Sequence, residues 1–209
     1  MPTDGKTDML AVARRLQSIA QNGLFYSSHT SNKARFAHVR AIAVRLVEVA
    51  CDAPDELVHD VYFSQEGPAT PKVEVRGLVL NGRRVLLVCD PREKRWYLPG
   101  GWAGAGLSPH EAVESELKRE TGHHVRVTQC LAIYDNRLHN CPPPLLHVYK
   151  LFFLCELEAR QESVEHAPDR IGFFSLDDLP PLYAQMTTAL ELNMLHATVH
   201  KSGLATLVD

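Results

Sequence analysis

The segment that most constrains this chain runs from Trp96 to Gly122, where a glycine-dense loop empties directly into a helix whose two ends are written in the sequence. Gly100, Gly101, Gly104 and Gly106 let the backbone bend sharply or come close to a ligand. Ser108 is placed to cap, Pro109 suits the first helical position and Glu111 completes a capping box, so a helix is expected from 109 to about 121, ended by Gly122. The flanks read as strands. Val73, Val75, Gly77 and Val79 alternate with Glu74, Arg76 and Leu78, Asn81-Gly82 is expected to supply a two-residue hairpin turn, and Val85 to Cys89 returns. Apolar runs at Val125 to Tyr134, Leu145 to Leu157 and Ile171 to Phe174 predict further strands, and Tyr183 to Val199 a closing helix. That order predicts an α+β fold with helices on the faces of a mixed sheet.

The first 66 residues follow a different period. Leu10, Ala13, Leu16 and Ala20 share one helical face, and Phe36, Val39, Ala43, Leu46, Val47 and Ala50 share another. Gly23 is expected to end the first helix, Ser31 or Asn32 to precede the second, and Asp52, Pro54 and Asp55 to open a third that ends near Phe63. Gly67, Pro68 and Pro71 then interrupt regular structure, which places a boundary between a helical subdomain, 1–66, and a second domain, 67–209.

Charge and cysteine usage exclude several classes. The formal net charge is -3, and within residues 1–66 seven basic residues face eight acidic ones, so no basic recognition helix is available for nucleic acid. No run of about 18 apolar residues and no secretory leader pattern is found, which argues against membrane spanning or export. Cys51, Cys89, Cys130, Cys141 and Cys155 are odd in number and scattered, the pattern of a reducing, cytoplasmic protein.

On the capped helix, Glu116 and Glu120 stand four residues apart and project from one face, close enough to share a hard divalent cation. By helix composition alone they are equally well read as solvated glutamates among Glu111, Glu114, Lys118 and Arg119.

Loop and helix together resemble the Nudix hydrolase box, G-x5-E-x7-R-E-U-x-E-E-x-G-U with U aliphatic. Gly101, Glu116, Leu117, Glu120 and Gly122 match in register, preceded by the Leu98-Pro99-Gly100-Gly101 that introduces the box in the family. Leu107, Ser115, Arg119 and His123 depart from it. The helical leader, Pro71 to Gly77, Tyr134-Asp135, Pro142 to Pro144 and His147 to Lys150 are similar to the branch with an N-terminal helical extension, which includes CDP-choline pyrophosphatases.

The resemblance implies an α/β/α sandwich and hydrolysis of a nucleoside diphosphate linked to some X, with CDP-choline the first candidate and ADP-ribose or a nucleotide sugar next. It implies Mg2+ or Mn2+, held by Glu116, Glu120 and the Gly100 carbonyl. Glu165, with Glu162 or Asp169 behind it, is the expected general base or an additional metal ligand. Arg76 would hold phosphate or serve as a strand-edge charge, Trp102 would stack on a base, and Tyr134 and His147 would contact substrate. Arg119 would salt-bridge the two glutamates in place of a cation, swing outward, or grip the substrate diphosphate. Ser115 removes an arginine that in the family braces the glutamates. The alternative function is a catalytically weakened nucleotide-binding or sensor module. The leader helices are expected to pack or to form a homodimer.

Overall fold

The computed structural model describes residues 5–51, 65–139, 146–161, 170–199 and 205–209. They fall into two compact units, Met1–Pro71 with Cys141–His147, and Lys72–Asn140 with Val148–Asp209.

In the first unit two helices, α1 (Gly5–Tyr26) and α2 (Thr30–Cys51), pack through Leu10, Ala13, Val44, Val47 and Ala50, so the two expected apolar stripes face one another. The expected stop at Gly23 is corrected: α1 continues to Tyr26. A Cβ on Gly23 would lie 2.3 Å from the Phe36 ring, so this glycine makes room for Phe36 of α2 rather than acting as a cap. Gly23→Ala is expected to lower the thermal midpoint, because overpacking costs about 1–3 kcal/mol whereas alanine gains only about 1 kcal/mol of helix propensity. A raised midpoint would mean that Phe36 turns aside. Beyond α2, Gln21 Nε2 donates to the Gly67 carbonyl at 3.1 Å and the Ala69 amide donates to Asn22 Oδ1 at 2.8 Å, fixing the junction to α1. The expected third helix, Asp52 to Phe63, lies outside the described residues.

The second unit is built on a mixed sheet. Its strands are β1 (Lys72–Asn81), β2 (Arg84–Cys89), β3 (Trp96–Tyr97), β4 (Gly100–Trp102), β5 (His123–Asp135), β6 (Val148–Gln161), β7 (Ile171–Ser175) and β8 (Leu207–Val208). They run in the order β3-β2-β1-β6-β5-β8, with β4 also paired to β1 and β7 to β2. β1 lies parallel to β6 and antiparallel to β2 and β4. Its residues alternate between two cores, as a strand buried on both faces must. Val75 and Val79 pack with Ala112, Val113 and Leu117 of α3 (Pro109–Thr121), whereas Leu78 packs with Leu192 and Leu195 of α5 (Ala189–Val199). A four-residue α4 (Asn136–His139) follows β5. The result is the expected α/β/α sandwich, preceded in the chain by helices.

Three local expectations are corrected. The hairpin turn is Gly82-Arg83 rather than Asn81-Gly82: Asn81 pairs with Arg84, and Gly82 (φ 62) takes the first central position, where a type II′ turn favours glycine. The glycine-dense segment contains β3 and β4, each tied to a longer strand. The closing helix begins at Ala189 rather than Tyr183, because Thr188 and Glu191 form a capping box: the Glu191 amide donates to Thr188 Oγ1 at 3.1 Å and the Thr188 amide to Glu191 Oε2 at 2.6 Å.

Candidate active site

The site assembles where β4 meets α3. The Ser108 hydroxyl accepts from the Glu111 amide at 3.3 Å, the Glu111 carboxylate accepts from the Ser108 amide at 2.8 Å, and the Gly122 amide donates to the Lys118 carbonyl at 2.8 Å. With Ala112, Val113 and Leu117 buried against the sheet, the helical period sets Glu116 and Glu120 at the edge of that contact, beside the glycine pair. At Gly100 only glycine fits. Gly100 has φ 149, and a Cβ on it would stand 2.1 Å from the Val75 carbonyl oxygen; one on Gly101 would stand 2.3 Å from Glu116 Oε2.

Glu120 is held from the strand side: the Gly100 amide donates to its Oε2 at 2.9 Å and the Tyr97 hydroxyl to its Oε1 at 3.2 Å. From the other side Arg119 joins the pair. Its Nε and Nη2 donate to Glu116 Oε2 at 3.1 and 2.5 Å, and Nη2 reaches Glu120 Oε1 at 3.4 Å. The Arg119 side chain is 61% exposed, against 21% and 13% for Glu116 and Glu120. Burial raises the Glu120 pKa, opposed by the Gly100 amide and by the positive charges of Arg76 and Arg119. The Tyr97 hydroxyl is pushed up by burial and by the negative charge of Glu120, so it stays a donor at neutral pH. The hydrogen bond to Glu116 raises the Arg119 pKa and keeps it cationic.

Two of the expected substrate-contact residues, Arg76 and Tyr134, are buried. Arg76 is neither a strand-edge charge nor a residue facing an open cleft, since it is 1% exposed in the interior strand β1. Its Nε donates to Glu74 Oε1 at 2.6 Å, Nη2 contacts the same oxygen, and Nη1 donates to the Leu98 carbonyl at 2.7 Å. The guanidinium carbon also lies 5.4 Å from the centre of the Tyr97 ring. Arg76 therefore underlies the site as a fixed charge. Tyr134 is 2% exposed, edge-on to Phe152 and stacked on His139 at 4.1 Å, which makes it a core residue. Trp102 is 54% exposed on β4, opposite Glu74, so its ring remains accessible for stacking. His147 belongs to the first unit and is half-buried. Glu165, Glu162, Asp169 and Pro142 to Pro144 lie outside the described residues.

Sequence reasoning missed Tyr97 and the buried pair of Lys150 and Glu191. Lys150 Nζ donates to the Met186 carbonyl at 3.0 Å and stands 3.9 Å from Glu191 Oε1. Burial lowers the Lys150 pKa, opposed by Glu191 and Glu74. A charged residue inside an apolar strand run was the available signal for Lys150. For Tyr97 it was the alternation with the apolar Trp96 and Leu98. Among the described residues no three His, Cys, Asp or Glu side chains cluster as metal ligands. Arg119 stands where the family box has a further carboxylate.

A mixed-sheet sandwich whose Leu-Pro-Gly-Gly turn seats two helix-borne glutamates defines a class of hydrolase. The chain belongs to that class, the Nudix hydrolase family of pyrophosphatases. Residues 70–192 match the NUDIX domain, and residues 7–62 match a domain described as UDP-X-like, N-terminal oligomerisation. The putative ADP-ribose pyrophosphatase YjhB of Bacillus subtilis is 31% identical over 204 residues, 98% of each chain. Among solved structures, an ADP-ribose pyrophosphatase from Streptococcus suis is 34% identical, covering 67% of this chain and 100% of that one with a TM-score of 0.59. A UDP-X diphosphatase is 25% identical, covering 98% and 99%, with a TM-score of 0.62. Hydrolases of this family generally act on small nucleotide derivatives and use divalent metal ions. Among the described residues no helix is long and apolar enough to cross a membrane.

Proposed function

We propose that this chain is a Mg2+- or Mn2+-dependent pyrophosphohydrolase that cleaves a nucleoside diphosphate linked to X and releases a nucleoside monophosphate. One observation carries the reading: Glu116 and Glu120 converge on a single positive group, the Arg119 guanidinium, beside the Gly100-Gly101 turn. Two carboxylates that share one cation in this way fit a divalent ion, with the Gly100 carbonyl as a further ligand. Such an ion supplies positive charge to the diphosphate oxygens and lowers the pKa of an attacking water. The protein's own groups orient the carboxylates through Tyr97 and the Gly100 amide, place Arg76 as a buried positive charge behind them, and offer Trp102 to a base. Glu165 is the proposed general base.

ADP-ribose is the first substrate to test, because both the full-length Bacillus relative and the Streptococcus structure carry that name. UDP-linked and CDP-linked compounds come next. Incubation with Mn2+ and ADP-ribose, a UDP-sugar or CDP-choline is expected to release AMP, UMP or CMP from at least one of them. Arg119 also favours a second reading, a nucleotide-binding module whose metal site is neutralised from within. Binding of the same compounds without any monophosphate release would support that reading and refute the first.

The leader supports a homodimer. Val12 and Ile19 on α1, and Ile42 and Val49 on α2, are exposed apolar residues at seven-residue spacing, the repeat that brings side chains to one helix face. The oligomerisation description of the matched N-terminal domain points to a second copy as their cover. Sedimentation is expected to give a dimer, and a double Ile19→Glu, Val49→Glu variant a monomer; a wild-type monomer would remove the proposal. The described cysteines Cys89, Cys130 and Cys155 are free thiols, in keeping with the proposed cytoplasmic location.

A further inference from the structure

We infer that Arg119 is a two-position cation that makes metal binding depend on the substrate: it neutralises Glu116 and Glu120 in the empty site and transfers to the diphosphate when substrate arrives. The inference rests on the pyrophosphohydrolase reading and adds an order of events to it. Three observations carry it. First, the guanidinium occupies the space between the two carboxylates through Glu116 Oε2 and Glu120 Oε1, so a divalent ion and Arg119 compete for the same oxygens. Second, Glu120 keeps its placement without Arg119: it is fixed from the strand side by Tyr97 and the Gly100 amide. Glu116, bonded to Arg119 through Oε2, is the carboxylate that the guanidinium's departure releases. Third, Arg119 is the exposed member of the group, and the helix's buried face is made by Ala112, Val113, Leu117 and Thr121.

The chemistry of the ligand completes the argument. A guanidinium presents paired N–H donors in a plane that matches two phosphate oxygens, a pairing that Arg119 lacks in the empty site, where Nε and Nη2 both address the single oxygen Oε2 of Glu116. Substrate therefore draws Arg119 away from Glu116 and uncovers both carboxylates at the moment when an ion is wanted beside the phosphates. By linkage, an ion bound to the uncovered carboxylates strengthens the hold on the diphosphate by the same factor. A resting enzyme of this design carries no tightly bound metal and discriminates against cations that arrive without nucleotide.

The test uses the full-length protein, Mn2+ and α,β-methylene-ADP, whose bridging carbon resists cleavage. Water-proton relaxation enhancement distinguishes protein-bound Mn2+ from Mn2+ held by nucleotide in solution. For the wild-type chain, saturating analogue is expected to tighten Mn2+ binding by at least about tenfold, within the usual range of coupling between sites. In Arg119→Gln, at an exposed helix position, Mn2+ alone is expected to bind at least about tenfold more tightly than to wild type, and the enhancement by the analogue to shrink by at least about threefold. Equal Mn2+ affinity in the two chains, or equal enhancement, overturns the inference and leaves the hydrolase reading standing. Absence of Mn2+ binding in both chains, with and without the analogue, overturns both. Unchanged far-ultraviolet circular dichroism of Arg119→Gln excludes unfolding as the cause of a change.

Discussion

Glu120→Gln is expected to reduce monophosphate release by about a hundredfold or more, the kinetic equivalent of roughly 3 kcal/mol of barrier. The size follows from charge rather than from lost hydrogen bonds. The Gly100 amide and the Tyr97 hydroxyl donate to the two oxygens of Glu120. A glutamine can still accept from the Gly100 amide and donate its NH2 group to the Tyr97 oxygen, which accepts as well as donates, so the pairing survives. What is lost is the negative charge that neutralises a divalent ion. The measurement is the rate of nucleoside monophosphate appearance at saturating Mn2+, alongside a thermal melt. A rate within threefold of wild type would remove Glu120 from the proposed site. A lost rate with an unchanged melting midpoint would place the loss in function rather than in folding.

The second large effect is a split between metal and substrate in Arg119→Glu. The substitution exchanges about +1 for about -1 beside Glu116 and Glu120. At an effective dielectric of about 20 a full charge at roughly 5 Å is worth about 3 kcal/mol, so even after screening Mn2+ should bind at least about tenfold more tightly. The same change removes a fork-shaped donor and sets a carboxylate near the incoming diphosphate. At saturating Mn2+ the KM of the hydrolysed substrate should rise by about tenfold, the loss of roughly 1.4 kcal/mol of binding, which is modest for a charged contact. Calorimetry with Mn2+ and steady-state kinetics check the two halves separately. Unchanged Mn2+ affinity would mean that the guanidinium does not compete with the ion. Unchanged KM would mean that it never reaches the diphosphate.

Much of this fold is legible because local chemistry states it. The capping box Ser108 to Glu111 and the closing Gly122 define α3 without reference to the rest of the chain, and the position of Glu116 and Glu120 on one face then follows from the helical period. What was not legible depends on partners far away in sequence. Trp96-Tyr97 and Gly100 to Trp102 are too short to show a hydrophobic period, and they become strands only because β2 and β1 supply their hydrogen bonds. Gly23 reads as a helix stop until Phe36, on another helix, is seen to lie against it. Arg76 reads as an interruption of an apolar strand until Glu74 and the Leu98 carbonyl are placed around it. Its burial beneath the site, rather than exposure within it, is a property of the sheet and not of any local motif. The role of Arg119 lay between: the spacing to Glu116 and Glu120 was visible, whereas the choice among its orientations required coordinates.

The tie between the Gly100-Gly101 turn and β1 bears on when the enzyme comes into being. β4 is keyed to β1 by Glu74 against Trp102, Val75 against Gly101 and Arg76 against Gly100. A slip of β4 by one residue against β1 would turn the Trp102 side chain to the opposite face of the sheet. It would also carry the Gly100 amide away from Glu120. A refolding chain that has completed α3 but has not locked this pairing holds both glutamates and no site. Catalytic competence thus reports on long-range strand alignment, and during refolding it should lag the recovery of helical signal.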